Sequence, residues 1–168
     1  MTTHTRTAIA AALALAAAAA GAHVTLEYPA AAAASSYKAT FKVGHGCGAS
    51  ATRQLVVEVP AGVRGAHPMP KAGWQLALEP ATGEPSRITW TAKSRDDMLA
   101  STHYDEFVLV AQLPAEPGTL YWPVRQVCEQ GRADWVEVPR DGQPLSELKA
   151  PAAPLEVLPG AGAGGHAH

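Results

Sequence analysis

Polar and apolar residues alternate with period two over most of the chain. Between Tyr37 and Val43 the apolar positions Tyr37, Ala39, Phe41 and Val43 are separated by Lys38, Thr40 and Lys42, the pattern of a strand with one buried face. Arg53–Pro60 repeats it, with Leu55, Val57 and Val59 on one side and Gln54 and Glu58 beside Val56 on the other. Further strands are expected over Val24–Tyr28, Trp74–Glu79, Arg87–Ala92, Glu106–Leu113, Thr119–Val127 and Ala133–Val138. Turns such as Pro60-Ala-Gly62 and Glu116-Pro-Gly118 separate them. About eight short strands at this spacing predict an all-β fold, an antiparallel β-sandwich. Pro123 lacks an N–H, so the Thr119–Val127 strand is expected to lie at an edge or to bulge there. Helical signals are weak, with at most one turn over Ser94–Ser101.

The two ends of the chain break the alternation. Arg6 is followed by an apolar, Ala- and Leu-rich run from Thr7 to Ala20, and Ala20-Gly21-Ala22 has the small-x-small form cut by signal peptidase. Residues 1–22 therefore read as a cleaved signal peptide, with His23 as the first mature residue of an exported, periplasmic protein. From Ala150 onward the chain is mainly Pro, Ala and Gly and ends in His166-Ala-His168. This composition predicts a flexible tail over 150–168, leaving one domain at 23–149.

Composition narrows the function classes. The precursor has 13 Lys and Arg against 15 Asp and Glu, and only Arg6 falls in the leader, so the mature net charge is −3. No basic stripe is available to neutralise phosphates, which argues against nucleic-acid binding. Beyond the leader no segment has the run of about 20 apolar residues needed to span a membrane. Cys47 and Cys128 are the only cysteines, and an even pair in an exported chain reads first as a disulfide. The competing reading, a thiolate metal site, lacks a C-x-x-C pair. No nucleophile elbow, H-E-x-x-H helix or phosphate-binding glycine loop occurs, so no catalytic site is expected.

Candidate metal chemistry begins at His23. A mature chain starting there carries a free α-amine and an imidazole Nδ1 on one residue, a two-nitrogen chelate suited to the tetragonal N/O preference of Cu(II). Of the remaining mature histidines, His45 sits in the Gly44-His-Gly-Cys47 turn, His67 precedes Pro68 in a loop, and His103 lies just before Tyr104-Asp105-Glu106. His166 and His168 could bind metal weakly from the tail. Glu106 opens the apolar run Phe107–Val110 and could offer its carboxylate to a cation or stay a solvated strand-end charge. Trp135 reads first as a core or rim aromatic.

The segments His23-Val-Thr-Leu, Val56–Val63, Pro68-Met-Pro-Lys-Ala-Gly-Trp74, Ile88-Thr-Trp-Thr91, Asp105-Glu-Phe107, Pro117-Gly-Thr-Leu120 and Asp134-Trp135 together resemble the YcnI-like copper-binding proteins, over roughly His23 to Val138. The resemblance implies an exported β-sandwich of cupredoxin or fibronectin III type that binds one Cu(II) through a monohistidine brace. The amine and Nδ1 of His23 would form the brace, Glu106 would supply the carboxylate and Trp135 would stand beside the copper. The resulting expectation is a non-enzymatic protein of copper storage, trafficking or delivery, with other copper-handling proteins as partners. Some members of that family end in a membrane anchor, which this tail does not resemble. Two alternatives remain. One is a histidine-brace copper monooxygenase, in which His103 or His45 would replace Glu106, and the other is a metal-free adhesion or scaffold module.

Overall fold

The computed structural model describes residues 23–160. The expected signal peptide and the His166/His168 end of the tail lie outside the described residues. The strands are β1 (Thr25–Leu26), β2 (Ala30–Ala32), β3 (Ser36–Val43), β4 (Thr52–Glu58), β5 (Arg64–Pro68), β6 (Trp74–Glu79), β7 (Arg87–Ala92), β8 (Asp105–Gln112), β9 (Gly118–Trp122), β10 (Val124–Cys128), β11 (Arg132–Trp135) and β12 (Ala153–Leu158). They form a four-stranded sheet in the order β1-β3-β8-β5, a five-stranded sheet β11-β10-β4-β7-β6 and a three-stranded sheet β2-β12-β9. Every strand pairing is antiparallel except β12 with β2, and an isolated parallel bridge joins Glu137 to Pro151, so the predicted all-β sandwich is observed with a few parallel contacts.

The alternation seen in the sequence is what fills the interior. Tyr37, Ala39, Phe41 and Val43 on β3 and Leu55 and Val57 on β4 are all buried, because a period-two strand presents one apolar face to the opposing sheet. Edge-to-face aromatic contacts join the layers. Phe107 of β8 meets Trp74 of β6 at 5.0 Å and Trp90 of β7 at 5.7 Å, and Phe41 meets Trp122 of β9 at 5.6 Å. Trp90 also donates its indole N–H to the Met69 carbonyl at 3.1 Å, which ties the β5–β6 connection to the other layer.

Four expectations are corrected. The segment 150–158 is not a flexible tail: Ala152, Ala153, Leu155 and Val157 are buried, and β12 pairs with both β9 and β2. Its Pro/Ala composition hides a strand because Leu155 and Val157 supply the inward face, while Pro154 contributes packing without needing a ladder N–H. Thr119–Val127 is not a single edge or bulged strand. It divides at Pro123 into β9 and β10, which belong to different sheets, since the residue without an N–H sits where the chain changes layers. Ser94–Ser101 forms turns rather than helix, with the Ser94 hydroxyl donating to Asp97 Oδ2 at 2.6 Å. Val24–Tyr28 contracts to the two-residue β1.

Cys47 and Cys128 form the expected disulfide, closing a loop of 81 residues with the Cα atoms 6.0 Å apart. It fastens the β3–β4 connection to β10 at the end of the sandwich where His23 lies. In the chain-entropy account a loop of this length disfavours the unfolded state by roughly 4–5 kcal/mol.

Candidate metal centre

Strand register brings the candidate residues to one rim. Thr25 of β1 pairs with Lys42 of β3, and Lys42 pairs with Glu106 of β8, so these three form one row across the outward face. Both β1 and β8 run antiparallel to β3 and are therefore parallel to each other. One step further towards their N-terminal ends, keeping the same outward parity, come His23, Gly44 and Tyr104. His23 and Tyr104 are exposed, with buried Val24 and half-buried Asp105 next to them in the chain. His23, Gly44 and Tyr104 lie just beyond the paired residues of β1, β3 and β8. Gly44 stands between them, and a Cβ built on it would meet no atom within 4 Å. The space around Gly44 is open, the His23 ring lies near the β1 end of this rim, and the Glu106 carboxylate with the Tyr104 phenol lies at the β8 end.

Each group is held in place. The His23 ring stands edge-on to Trp135, with centroids 5.1 Å apart and planes at 79°. Trp135 closes β11 and donates its indole N–H to Gln126 Oε1 at 3.3 Å. Gln126 is 1% exposed, and its amide nitrogen donates to the His45 carbonyl at 2.6 Å and to Thr52 Oγ1 at 2.7 Å. A buried amide satisfied on both ends fixes orientation, so Gln126 links the disulfide-anchored loop to the tryptophan beside His23.

Glu106 is fixed at its backbone and at its carboxylate. Asp105 Oδ1 accepts the Glu106 N–H at 2.8 Å and pairs with Lys71 Nζ at 2.6 Å, and Lys71 also donates to the Glu106 carbonyl at 3.2 Å. The same ammonium lies 5.1 Å from the centroid of the Phe107 ring. The Tyr104 hydroxyl donates to Glu106 Oε1 at 2.6 Å. That hydrogen bond pushes the Tyr104 phenol up to about 12, with desolvation and the negative charges of Glu106, Glu27 and Asp105 adding to it. Lys42, between β1 and β8, is drawn to Glu27 Oε2 at 3.0 Å. Among the described residues no lysine or arginine pairs with the Glu106 carboxylate, so its charge has no protein cation against it.

The other histidines are dispersed. His45 is half-buried, with Nδ1 donating to the Gly46 carbonyl at 2.9 Å. His67 lies on β5 opposite Val110, so it is in a strand rather than the expected loop. His103 is exposed in the turn before β8. Among the described residues no group of three or more His, Cys, Asp or Glu side chains is arranged to hold a metal. Any metal at this rim would need donors from outside that set, such as the free amine that cleavage before His23 would create from what is otherwise a peptide nitrogen. An imidazole and a carboxylate with no ion-pair partner are donor types that suit a cation with N/O preference. Tyr104, Gln126 and Gly44 were not singled out from the sequence. Only the i, i+2 spacing of Tyr104 and Glu106 at the start of a strand could have pointed to the first of them.

A family model described as a domain of unknown function, DUF1775, matches residues 23–157. The chain belongs to this family, which is the YcnI family domain. The match starts at His23 and runs into β12 as far as Val157. A crystal structure of an uncharacterized protein from Nocardia farcinica, reported to have an immunoglobulin-like fold, is similar at 27% identity and a TM-score of 0.67. The alignment covers 80% of this chain and 97% of that one. No curated protein matches. Among the described residues no helix is long and apolar enough to cross a membrane.

Proposed function

We propose that the DUF1775 domain described here is an exported Cu(II)-binding protein that stores or hands on one copper ion per chain without turnover. Two nitrogens of a cleaved N-terminal His23 and the carboxylate of Glu106 are the donors, and Trp135 packs beside the imidazole. The observation that supports this reading is the register that puts Thr25, Lys42 and Glu106 in one row, two residues along the chain from a His23 ring held edge-on by Trp135, with no lysine or arginine paired to the Glu106 carboxylate among the described residues. Nitrogen and carboxylate donors suit Cu(II), whereas Cu(I) prefers thiolates and thioethers, so reduction would release the ion. The periplasm is the compartment that fits both the leader and the disulfide.

The ion is cargo here, and the residues bind and orient it. His23 supplies a chelate whose geometry Trp135 restrains, and Glu106 supplies an anionic oxygen at a fixed position. Calorimetric titration of the chain beginning at His23 tests the reading against the same chain with its His23 amine acetylated. One tight Cu(II) equivalent is expected in the first and strongly weakened uptake in the second. Equal uptake by both would remove the brace, and no uptake by either would favour a metal-free scaffold.

A further inference from the structure

We propose that Tyr104 is a positioning residue for the copper-binding carboxylate, holding Glu106 so that one oxygen is committed to the phenol and the other is turned to the metal. The inference rests on the Cu(II) reading given above and extends it to a residue outside the donor set. Three observations carry it. The Tyr104 hydroxyl donates to Glu106 Oε1 at 2.6 Å, a short bond to a charged acceptor. Tyr104 is 55% exposed, so burial does not explain the placement of its ring, and this hydrogen bond is the specific contact its hydroxyl makes. The Glu106 backbone is already pinned through Asp105 and Lys71, which leaves the carboxylate torsions as the freedom that remains, and Tyr104 removes it.

The chemistry follows from hydrogen-bond capacity. A carboxylate has two oxygens able to meet a metal, and without a partner it rotates between one-oxygen and two-oxygen contact or points into water. A phenol donor on Oε1 lowers the basicity of that oxygen and favours contact through Oε2 alone. It also shortens the search the side chain must make when the ion arrives, because the rotamer is set beforehand. Groups that orient metal ligands in this way typically contribute about 10–100-fold in affinity.

The test uses the processed protein starting at His23, with Tyr104→Phe, Glu106→Gln and the double variant. Copper affinity is measured by competition with a Cu(II) chelator, and the Cu(II) electron paramagnetic resonance spectrum is recorded for each. The parent titration is read first: absence of a tight Cu(II) equivalent overturns the copper reading and this inference with it. With copper bound by the parent, Tyr104→Phe is expected to keep one equivalent, weaken binding by about 10–100-fold and change the copper hyperfine splitting. In the Glu106→Gln background the same change should have little further effect. Three copper-binding results overturn the positioning role alone. They are an unchanged spectrum and affinity in Tyr104→Phe, an equal loss in both backgrounds, and a phenolate-to-copper charge-transfer band in the parent that disappears in Tyr104→Phe, which would make Tyr104 a ligand. A lowered melting temperature of the metal-free variant with an unchanged spectrum would assign the residue to folding instead.

Discussion

Replacing Leu155 with alanine tests whether the C-terminal segment is a working part of the sandwich. Leu155 is fully buried on β12, facing the core between Ala153 and Val157, and its strand pairs with β9 on one side and β2 on the other. Burying a leucine side chain contributes about 1.5–3 kcal/mol by transfer alone. Truncation to alanine adds a cavity term, since neighbours relax only partly, and the usual total is about 2–5 kcal/mol. For a domain of about 140 residues the unfolding entropy is near 0.3 kcal/mol/K, so a loss of about 3 kcal/mol lowers the melting temperature by roughly 10 °C. Leu158 in the same strand is 42% exposed, and its alanine variant should melt within about 2 °C of the parent, as surface changes usually cost under ~0.5 kcal/mol. Differential scanning calorimetry on the disulfide-intact protein gives both values. Equal melting temperatures for the parent and Leu155→Ala would refute the placement of β12 in the core.

Other consequences are equally direct. A Cβ on Gly46 would lie 1.8 Å from the Ser50 carbonyl oxygen, which backbone cannot vacate, so Gly46→Ala should fail to form the β3–β4 connection and accumulate as insoluble protein. Gly48→Ala, at φ +63 with no atom within 4 Å of the new Cβ, should fold and lose only about 1–2 kcal/mol in chemical denaturation. The protonated Tyr104 phenol is favoured in the folded state because its value is raised to about 12. Its contribution is therefore complete below the ordinary tyrosine range and lost as pH rises through about 12, and Glu106→Gln should lower the tyrosinate titration read at alkaline pH by ultraviolet absorbance. Copper binding must displace a proton from each protonated donor nitrogen. The apparent Kd should rise by up to about 100-fold per unit of falling pH once both nitrogens are protonated, and a Kd that stays flat from pH 8 to pH 5 would contradict the chelate.

Period-two alternation made the interior legible: Tyr37, Ala39, Phe41 and Val43 face inward on β3 as their spacing requires, and the Cys47–Cys128 bond forms as the pair predicted. The strands that escaped sequence reading are those with little contrast between faces. β2 is three alanines, β5 is Arg-Gly-Ala-His-Pro, and β12 begins Ala-Pro, so partners on other strands decide their structure rather than local pattern. The candidate rim was partly legible for a similar reason. His23, Glu106 and Trp135 stand at segment boundaries that a reader can locate, and Trp135 does meet His23. The groups that orient them do not announce themselves in the sequence. Gln126 is a buried polar residue whose partners, His45 and Thr52, are more than seventy positions away in the chain.

The central claim is that one residue supplies both nitrogen donors. Pulsed electron paramagnetic resonance of the Cu(II)-loaded protein starting at His23, prepared with 15N only in histidine, reads it directly. The account predicts two strongly coupled 15N nuclei, an amine and an imidazole, the amine coupling lost when the His23 amine is acetylated and both unchanged in His45→Ala and His103→Ala variants. A third strongly coupled nitrogen, or a signal that disappears with His45 or His103, would contradict it.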